Sequence, residues 1–162
     1  GLIALLMASR APELFNKVVC LDPVGAKGVK FDNSMISAFE AMKTDRALTA
    51  TVIGSTIKDN KPDSDFFQQV VVEDAFRAVK SVGHLVLKAL DGLDVTQELS
   101  SVQHPVLVLH GEHDVLLPMQ DSKSLAGLVK NGRFEVLSGR GHCANVEDPK
   151  TFVATLQRFL FA

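Results

Sequence analysis

Tryptophan and tyrosine are both absent from the 162 residues. Phenylalanine is left as the only aromatic, so the polar-tipped rings that usually line mixed contacts are missing. Only two cysteines occur, Cys20 and Cys143. Two at unrelated positions do not make a disulfide framework. Cys20 sits in an apolar run and reads as a small core residue, and a reducing, cytoplasmic setting is the mild expectation. Neither sign of charge dominates: 17 Lys and Arg face 19 Asp and Glu, for a net charge of -2. The basic residues are scattered, which gives no electrostatic footing for nucleic acid or an anionic membrane. No stretch reaches the ~20 apolar residues of a membrane-spanning helix. The start, Gly1 to Ala8, is apolar, but it lacks a basic lead-in and runs into Ser9-Arg-Ala-Pro-Glu13, so it does not read as a signal peptide. It reads instead as a helix entered at its first turn. Neither Gly-x-x-x-x-Gly-Lys nor Gly-x-Gly-x-x-Gly occurs, so nucleotide cradling has no support and no cofactor is implied.

What is present is ordinary globular material, 46% hydrophobic and 22% charged, in a length suited to one domain. Leu2 to Arg10 is apolar nearly all round and is stopped by Pro12, as a buried helix would be. The run Val18-Val-Cys-Leu21, closed by Asp22-Pro23, has the look of a strand buried on both faces. Residues 25–103 then change character. Short helical patterns occupy about 34–43, 45–57, 64–80 and 82–90, with Asp32 or Asn33, Thr44 and Asp63 as expected N-caps. Val71-Val72 interrupts the third pattern ambiguously.

The alternation of strand and helix returns with Pro105-Val-Leu-Val-Leu-His110, a helix from Met119 to Leu128, and a strand at Arg133-Phe-Glu-Val-Leu137. A last amphipathic helix, Asp148 to Phe161, sets Phe152, Val153, Leu156, Phe159 and Leu160 inward. This rhythm predicts an α/β fold with three parallel strands, at about 18–22, 105–110 and 133–137. The expected organisation is a core made of residues 1–24 and 104–162 and a helical insertion over residues 25–103.

Two constellations carry chemistry. Gly111-Glu-His-Asp114 directly follows one strand and Gly139-Arg-Gly-His142 directly follows the next. Catalytic groups gather at the carboxyl ends of strands in open α/β sheets. The 28 residues between Asp114 and His142 allow one strand–helix–strand return. An Asp that accepts from a His fixes one tautomer and stabilises the imidazolium, which makes the His a general base near neutral pH. The competing reading has Asp114 capping the segment after it and His142 as an ordinary loop histidine. A further alternative groups His110, His113, Asp114 and His142 around zinc, but ligands spaced three apart in a loop fix no tetrahedral arrangement, and no metal site is expected. His84 and Glu112 are read as ordinary module and solvated residues.

The stretch His104-Pro-Val-Leu-Val-Leu-His-Gly-Glu-His-Asp-Val-Leu-Leu-Pro118 resembles the acid strand and loop of α/β-hydrolases. Phe134-Glu-Val-Leu-Ser-Gly-Arg-Gly-His-Cys-Ala-Asn-Val-Glu-Asp-Pro149 resembles their histidine loop and final helix. Gly1 to Glu13 with the following strand resembles the helix after their nucleophile elbow and the next strand. The resemblance covers roughly residues 1–23 and 104–162 and implies the order and spacing of that fold. It implies that residues 25–103 are a cap, whose Phe31, Met35, Phe39, Phe66 and Phe67 (with Met42 and Phe76) would wall a substrate pocket. The alternative for each is the cap's own core. It further implies a Ser–His–Asp mechanism with Asp114 as acid and His142 as base. The family's Ser sits in a Gly-x-Ser-x-Gly turn, and this chain has none. By the resemblance it would fall about three residues upstream of Gly1. Cys143, Ser9 and Ser138 are poor substitutes, since none sits on a strained strand-to-helix turn.

The expected parent is therefore a serine hydrolase, esterase-like, acting on a small ester or related acyl substrate, of which this chain is a C-terminal fragment, inactive alone. Alternatives are a non-catalytic binding module of the same fold, or a C–C bond hydrolase, lactonase, haloperoxidase or epoxide hydrolase. A homodimer or association with the N-terminal half is expected, through the open edge of the strand at 18–22.

Overall fold

The computed structural model describes residues 1–162 and divides them into two units, Gly1–Lys27 with Asp94–Ala162, and Gly28–Leu93. The first unit is built on three strands, β1 (Val18–Leu21), β2 (Pro105–Gly111) and β3 (Asn131–Leu137), parallel and in the order β1-β2-β3. The chain thus has the α/β architecture expected, a three-stranded parallel sheet flanked by helices. Val18 pairs with Val106, and Gly111 with Leu137, so β2 and β3 end level with one another. β2 is central. Every residue from Val106 to Gly111 is buried, which is why its sequence runs apolar without alternating.

Strand side chains point alternately to the two faces, and each face has its own helical cover. On one face Leu107, Leu109, Leu137 and Ala144 form a buried cluster, against which Val19, Leu21, Phe152, Leu156 and Phe159 pack. The last three come from α9 (Pro149–Leu160). This helix starts where Asp148 accepts from the Thr151 N–H at 3.1 Å and Pro149 fills the first position. Of the five residues expected to face inward on α9, Val153 and Leu160 are instead 46% and 40% exposed, so the buried stripe is narrower than the sequence suggested. Elsewhere in the unit, α1 (Leu2–Arg10) packs on β1, and α7 (Met119–Leu128) on β2 and β3. Cys20 is fully buried in β1, and burial pushes its thiol up to about 11.

A short helix, α6 (Thr96–Ser100), was not evident in the sequence. It is held to α1 by Arg10, whose Nε donates to Glu98 Oε1 at 2.6 Å, and by the Ser9 hydroxyl, which donates to the Glu98 carbonyl at 3.1 Å. That packing joins residues 94–103 to the sheet unit, and the helical unit correspondingly spans Gly28–Leu93 rather than 25–103. The outer side of α1 and the turn after it is apolar and open: Ile3 is 73%, Met7 52% and Leu14 73% exposed.

The second unit contains α2 (Asn33–Met42), α3 (Arg46–Ser55), α4 (Val72–Ser81) and α5 (His84–Leu90). Asp32 caps α2 by accepting from the Met35 N–H at 2.8 Å. The other two caps fall one residue later than expected. Asp45 accepts from the Leu48 N–H at 2.9 Å, while Thr44 bonds back to Ala41; Ser64, not Asp63, accepts from the Phe67 N–H at 3.2 Å. The ambiguity at Val71-Val72 has a structural cause. Phe67–Val71 forms a π-helical turn that leads into α4, so the apolar stripe slips by a residue there. Met42, Thr49, Phe67, Val72, Val79 and Leu87 are buried within this unit. The Thr49 hydroxyl donates to the carbonyls of Met42 and Asp45. No helix of the chain is long and apolar enough to cross a membrane.

Leu109 is fully buried at the centre of the sheet. Leu109→Ala is expected to lower unfolding stability by about 2–5 kcal/mol, measured by urea denaturation; a loss well under 1 kcal/mol would contradict the packing described.

Candidate active site

The level ends of β2 and β3 put two loops side by side, and several bonds lock them together. The N–H of Glu112 donates to the Leu137 carbonyl at 3.1 Å and that of His113 to the Arg140 carbonyl at 2.8 Å. Gly111 makes the approach possible: a Cβ there would lie 2.0 Å from the Gly141 carbonyl oxygen. Gly139 turns the second loop with a φ of 70°, in the left-handed region that suits glycine. Glu112, read from sequence as a solvated side chain, spans the loops. Its Oε2 accepts from the Ser138 hydroxyl at 2.8 Å and the Gly139 N–H at 2.7 Å. On the far side Glu147, in the short helix α8 (Ala144–Glu147), accepts from the N–H groups of Gly141 at 2.6 Å and Cys143 at 3.3 Å. The segment carrying His142 is therefore gripped by a carboxylate at each end.

Within that frame His142 Nδ1 and Asp114 Oδ2 are 2.8 Å apart. The Asp114 side chain is fully buried, and the His142 side chain is 22% exposed. Asp114 also does what the competing reading assigned it: Oδ1 accepts from the N–H groups of Leu116 and Leu117 at 2.7 and 3.1 Å. The two roles are compatible, because they use different oxygens. Burial by itself would raise Asp114; the His142 hydrogen bond and charge and the two backbone donors outweigh it, so the carboxyl lies below its ordinary value. His142 is the mirror case. Burial pulls it down, but the hydrogen bond and charge of Asp114, with the charges of Asp22 and Glu147, carry it above its ordinary value. Since Nδ1 is engaged by the carboxylate, Nε2 is the ring atom left to exchange a proton with another group.

The other sequence candidates are placed as follows. His110 is buried in β2, its Nδ1 2.9 Å from the Ser122 hydroxyl, and burial lowers it. His113 contributes its backbone to the loop contact. Of the residues considered for zinc, His110 Nε2 lies 3.9 Å and His142 Nδ1 2.8 Å from Asp114 Oδ2. Asp22, Asp114 and His142 form a group of three whose donor atoms all lie within 4.8 Å of one another. Ser9 bonds to Glu98 and Ser101, and Ser138 to Glu112, so neither hydroxyl is presented to the imidazole. Of the apolar candidates in the helical unit, Phe67 is buried there beside Gly54, Phe66 is 54% exposed, and Phe31, Met35 and Phe39 are half-buried.

No family model matches the chain. A relative is RutD of Pseudomonas syringae pv. syringae (strain B728a), named as a candidate carbamate hydrolase, with 36% identity over 74 residues, 46% of this chain and 29% of RutD. The pyrrolizixenacetamide deacetylase of Xenorhabdus hominickii is 22% identical over 167 residues, covering 99% of this chain and 62% of that protein. Among solved structures, the serine hydrolase CCSP0084 of Cycloclasticus zankles superposes with a TM-score of 0.77 at 21% identity, over 98% of this chain and 60% of that one. The chain has the α/β-hydrolase fold. The chain spans about three fifths of the length of the proteins it matches end to end. The relatives and the neighbour described above carry the names of a carbamate hydrolase, a deacetylase and a serine hydrolase.

Two measurements test the geometry. Gly111→Ala drives a methyl into the Gly141 carbonyl and is expected to cost about 2–3 kcal/mol and to broaden the His142 ring signals in NMR spectra; a neutral result would mean the loops are not in contact. The pH dependence follows from the shifts. His142, raised in the folded state, contributes stability that is fully present below the ordinary histidine pKa and lost as pH rises through its raised value. Asp114, lowered, contributes stability that is present above the ordinary aspartate pKa and lost as pH falls through its lowered value. His142→Gln should therefore cost more at about pH 5.5 than at about pH 9, by roughly 2 kcal/mol at the acid end. Equal losses at both pH values would contradict the pairing.

Proposed function

We propose that this chain is the acid–base portion of a serine hydrolase acting on a small ester or related acyl substrate. The observation that supports it is the 2.8 Å contact of His142 Nδ1 with Asp114 Oδ2 on adjacent strand-end loops. In this reading the nucleophile is a Ser on a Gly-x-Ser-x-Gly turn preceding α1, outside the 162 residues. Its hydroxyl proton passes to His142 Nε2 as the oxygen attacks the acyl carbon. Asp114 keeps Nδ1–H aimed at itself and stabilises the imidazolium that results. His142 then returns the proton to the leaving group, and the same cycle with water releases the acid. Carbamate and amide chemistry in the names of two relatives is the same acyl transfer with a nitrogen leaving group. The cap role of the helical unit, with Phe31, Met35, Phe39, Phe66 and Phe67 among its walls, belongs to this proposal too.

The apolar outer side of α1, where Ile3, Leu6, Met7, Leu14 and Phe15 border a hollow, and the unpaired edge of β1 are the surfaces on which the remaining part of such a hydrolase would pack.

The isolated chain is expected to hydrolyse short-chain nitrophenyl esters no faster than its His142→Ala variant. In the full-length protein His142→Ala should lower kcat by about 10⁴- to 10⁶-fold, and Asp114→Asn by about 10⁴-fold. A full-length His142→Ala protein of normal activity would end the proposal. Analytical ultracentrifugation of the isolated chain is expected to show self-association through the open surfaces, and a strict monomer at high concentration would count against their assignment.

A further inference from the structure

The residue that ends β1 is not used by the mechanism above, yet it lies at the site. Asp22 is 5% exposed, and its side chain only 1%. Its backbone φ is 39°, uncommon for a residue other than glycine. The main chain is tied to β2 by Asp22 N–H donating to the Leu109 carbonyl at 2.9 Å, and the side chain by Oδ1 accepting from the Gly111 N–H at 2.8 Å. The second oxygen, Oδ2, is buried and receives no hydrogen bond. A buried, unpaired carboxylate oxygen is costly, whereas a protonated one is a donor in need of an acceptor. The Asp114 carboxylate is the acceptor at hand: donor atoms of Asp22, Asp114 and His142 lie within 4.8 Å of one another.

We propose that Asp22 is a positioning residue of this site, whose buried carboxyl holds a proton toward Asp114 and so keeps Asp114 as the ionised partner of His142. This rests on the acid–base reading of His142 and Asp114. Two buried carboxyls this close do not both ionise readily, and their surroundings decide which keeps the proton. Asp114 receives two backbone N–H groups and the imidazole, while Asp22 receives one N–H. Burial, with the neighbouring Asp114 adding to it and the Gly111 N–H and the His142 charge opposing it, pushes Asp22 up to about 7. The other groups facing Asp22 do not neutralise it. His110 Nδ1 is 3.3 Å from Oδ1 but is engaged by Ser122, and burial disfavours its charge; Asp121 acts on His110, and Glu147 on His142, from farther out. At rest the pocket then carries one negative charge instead of two. When Asp22 releases its proton near neutral pH, the second charge strengthens the hold on the imidazolium.

Asp22→Asn keeps an oxygen for Gly111 and an N–H for Asp114 but cannot ionise, so it mimics the protonated acid and is expected to fold. The test is a titration of the 162-residue chain by carboxyl ¹³C and imidazole ¹⁵N NMR, comparing the native sequence with Asp22→Asn and Asp114→Asn, together with thermal melts. Asp22 should titrate near neutrality, and Asp22→Asn should keep the His142 Nδ1–H signal while shifting the His142 midpoint downward. A carboxyl whose folded pKa is raised loses stability as pH rises from its unfolded toward its folded value. The Tm of Asp22→Asn should accordingly gain on the native chain between about pH 4 and about pH 8. Asp22 titrating in the ordinary carboxylate range, or a His142 midpoint unchanged in Asp22→Asn, would overturn the proposal and leave the acid–base reading standing. A His142 Nδ1–H signal indifferent to Asp114→Asn would remove the acid–base reading itself, and this proposal with it.

Discussion

The pairing of β2 with β3 is the constraint on which the site depends. Gly111 and Leu137 are partners in register, so the chain leaves both strands at one height and the two loops begin side by side. A slip by one residue would turn every strand side chain to the opposite face, and Leu107, Leu109 and Leu137 would lose their shared cluster. The apolar packing therefore sets the register, and the register sets the distance between Asp114 and His142. The loop residues add the finer adjustment, through the absence of a side chain at Gly111 and the carboxylates of Glu112 and Glu147.

The large elements were legible in the sequence because each carried its own signal. Uninterrupted apolar runs marked β1 and β2. The joint placement of Asp114 and His142 after successive strands was enough to suggest their partnership. What escaped reading was whatever depended on a distant partner. α6 has five residues and is defined by its contacts with Ser9 and Arg10, nearly ninety positions earlier. Asp22 read as the polar stop of a strand, since its importance comes from Gly111 and Asp114, which only the sheet brings near. Two of the helix caps in the second unit were displaced by one residue because Thr44-Asp45 and Asp63-Ser64 each offer two capable side chains in a row. Only the backbone path selects between them.

The loop carrying His142 also shows how a side chain can be fixed without a rigid strand beneath it. Residues 138–143 are irregular, and they owe their order to carboxylates that accept backbone N–H groups. Glu112 and Glu147 stand in for the hydrogen bonds a strand neighbour would otherwise provide. Their cost is small, since Glu112 remains solvated while it accepts from Ser138 and Gly139, an arrangement that holds it below the ordinary carboxylate range.

Burial of Cys20 at the sheet's edge has a kinetic meaning. Its thiol faces the start of α1, with Sγ 3.6 Å from the Gly1 carbonyl, and is held in the unreactive protonated form. An alkylating reagent can meet a thiolate there only when β1 and α1 part. The chain thus carries an internal clock at the border of α1 and β1, and the rate at which Cys20 is modified counts the openings of that border without a label having been introduced.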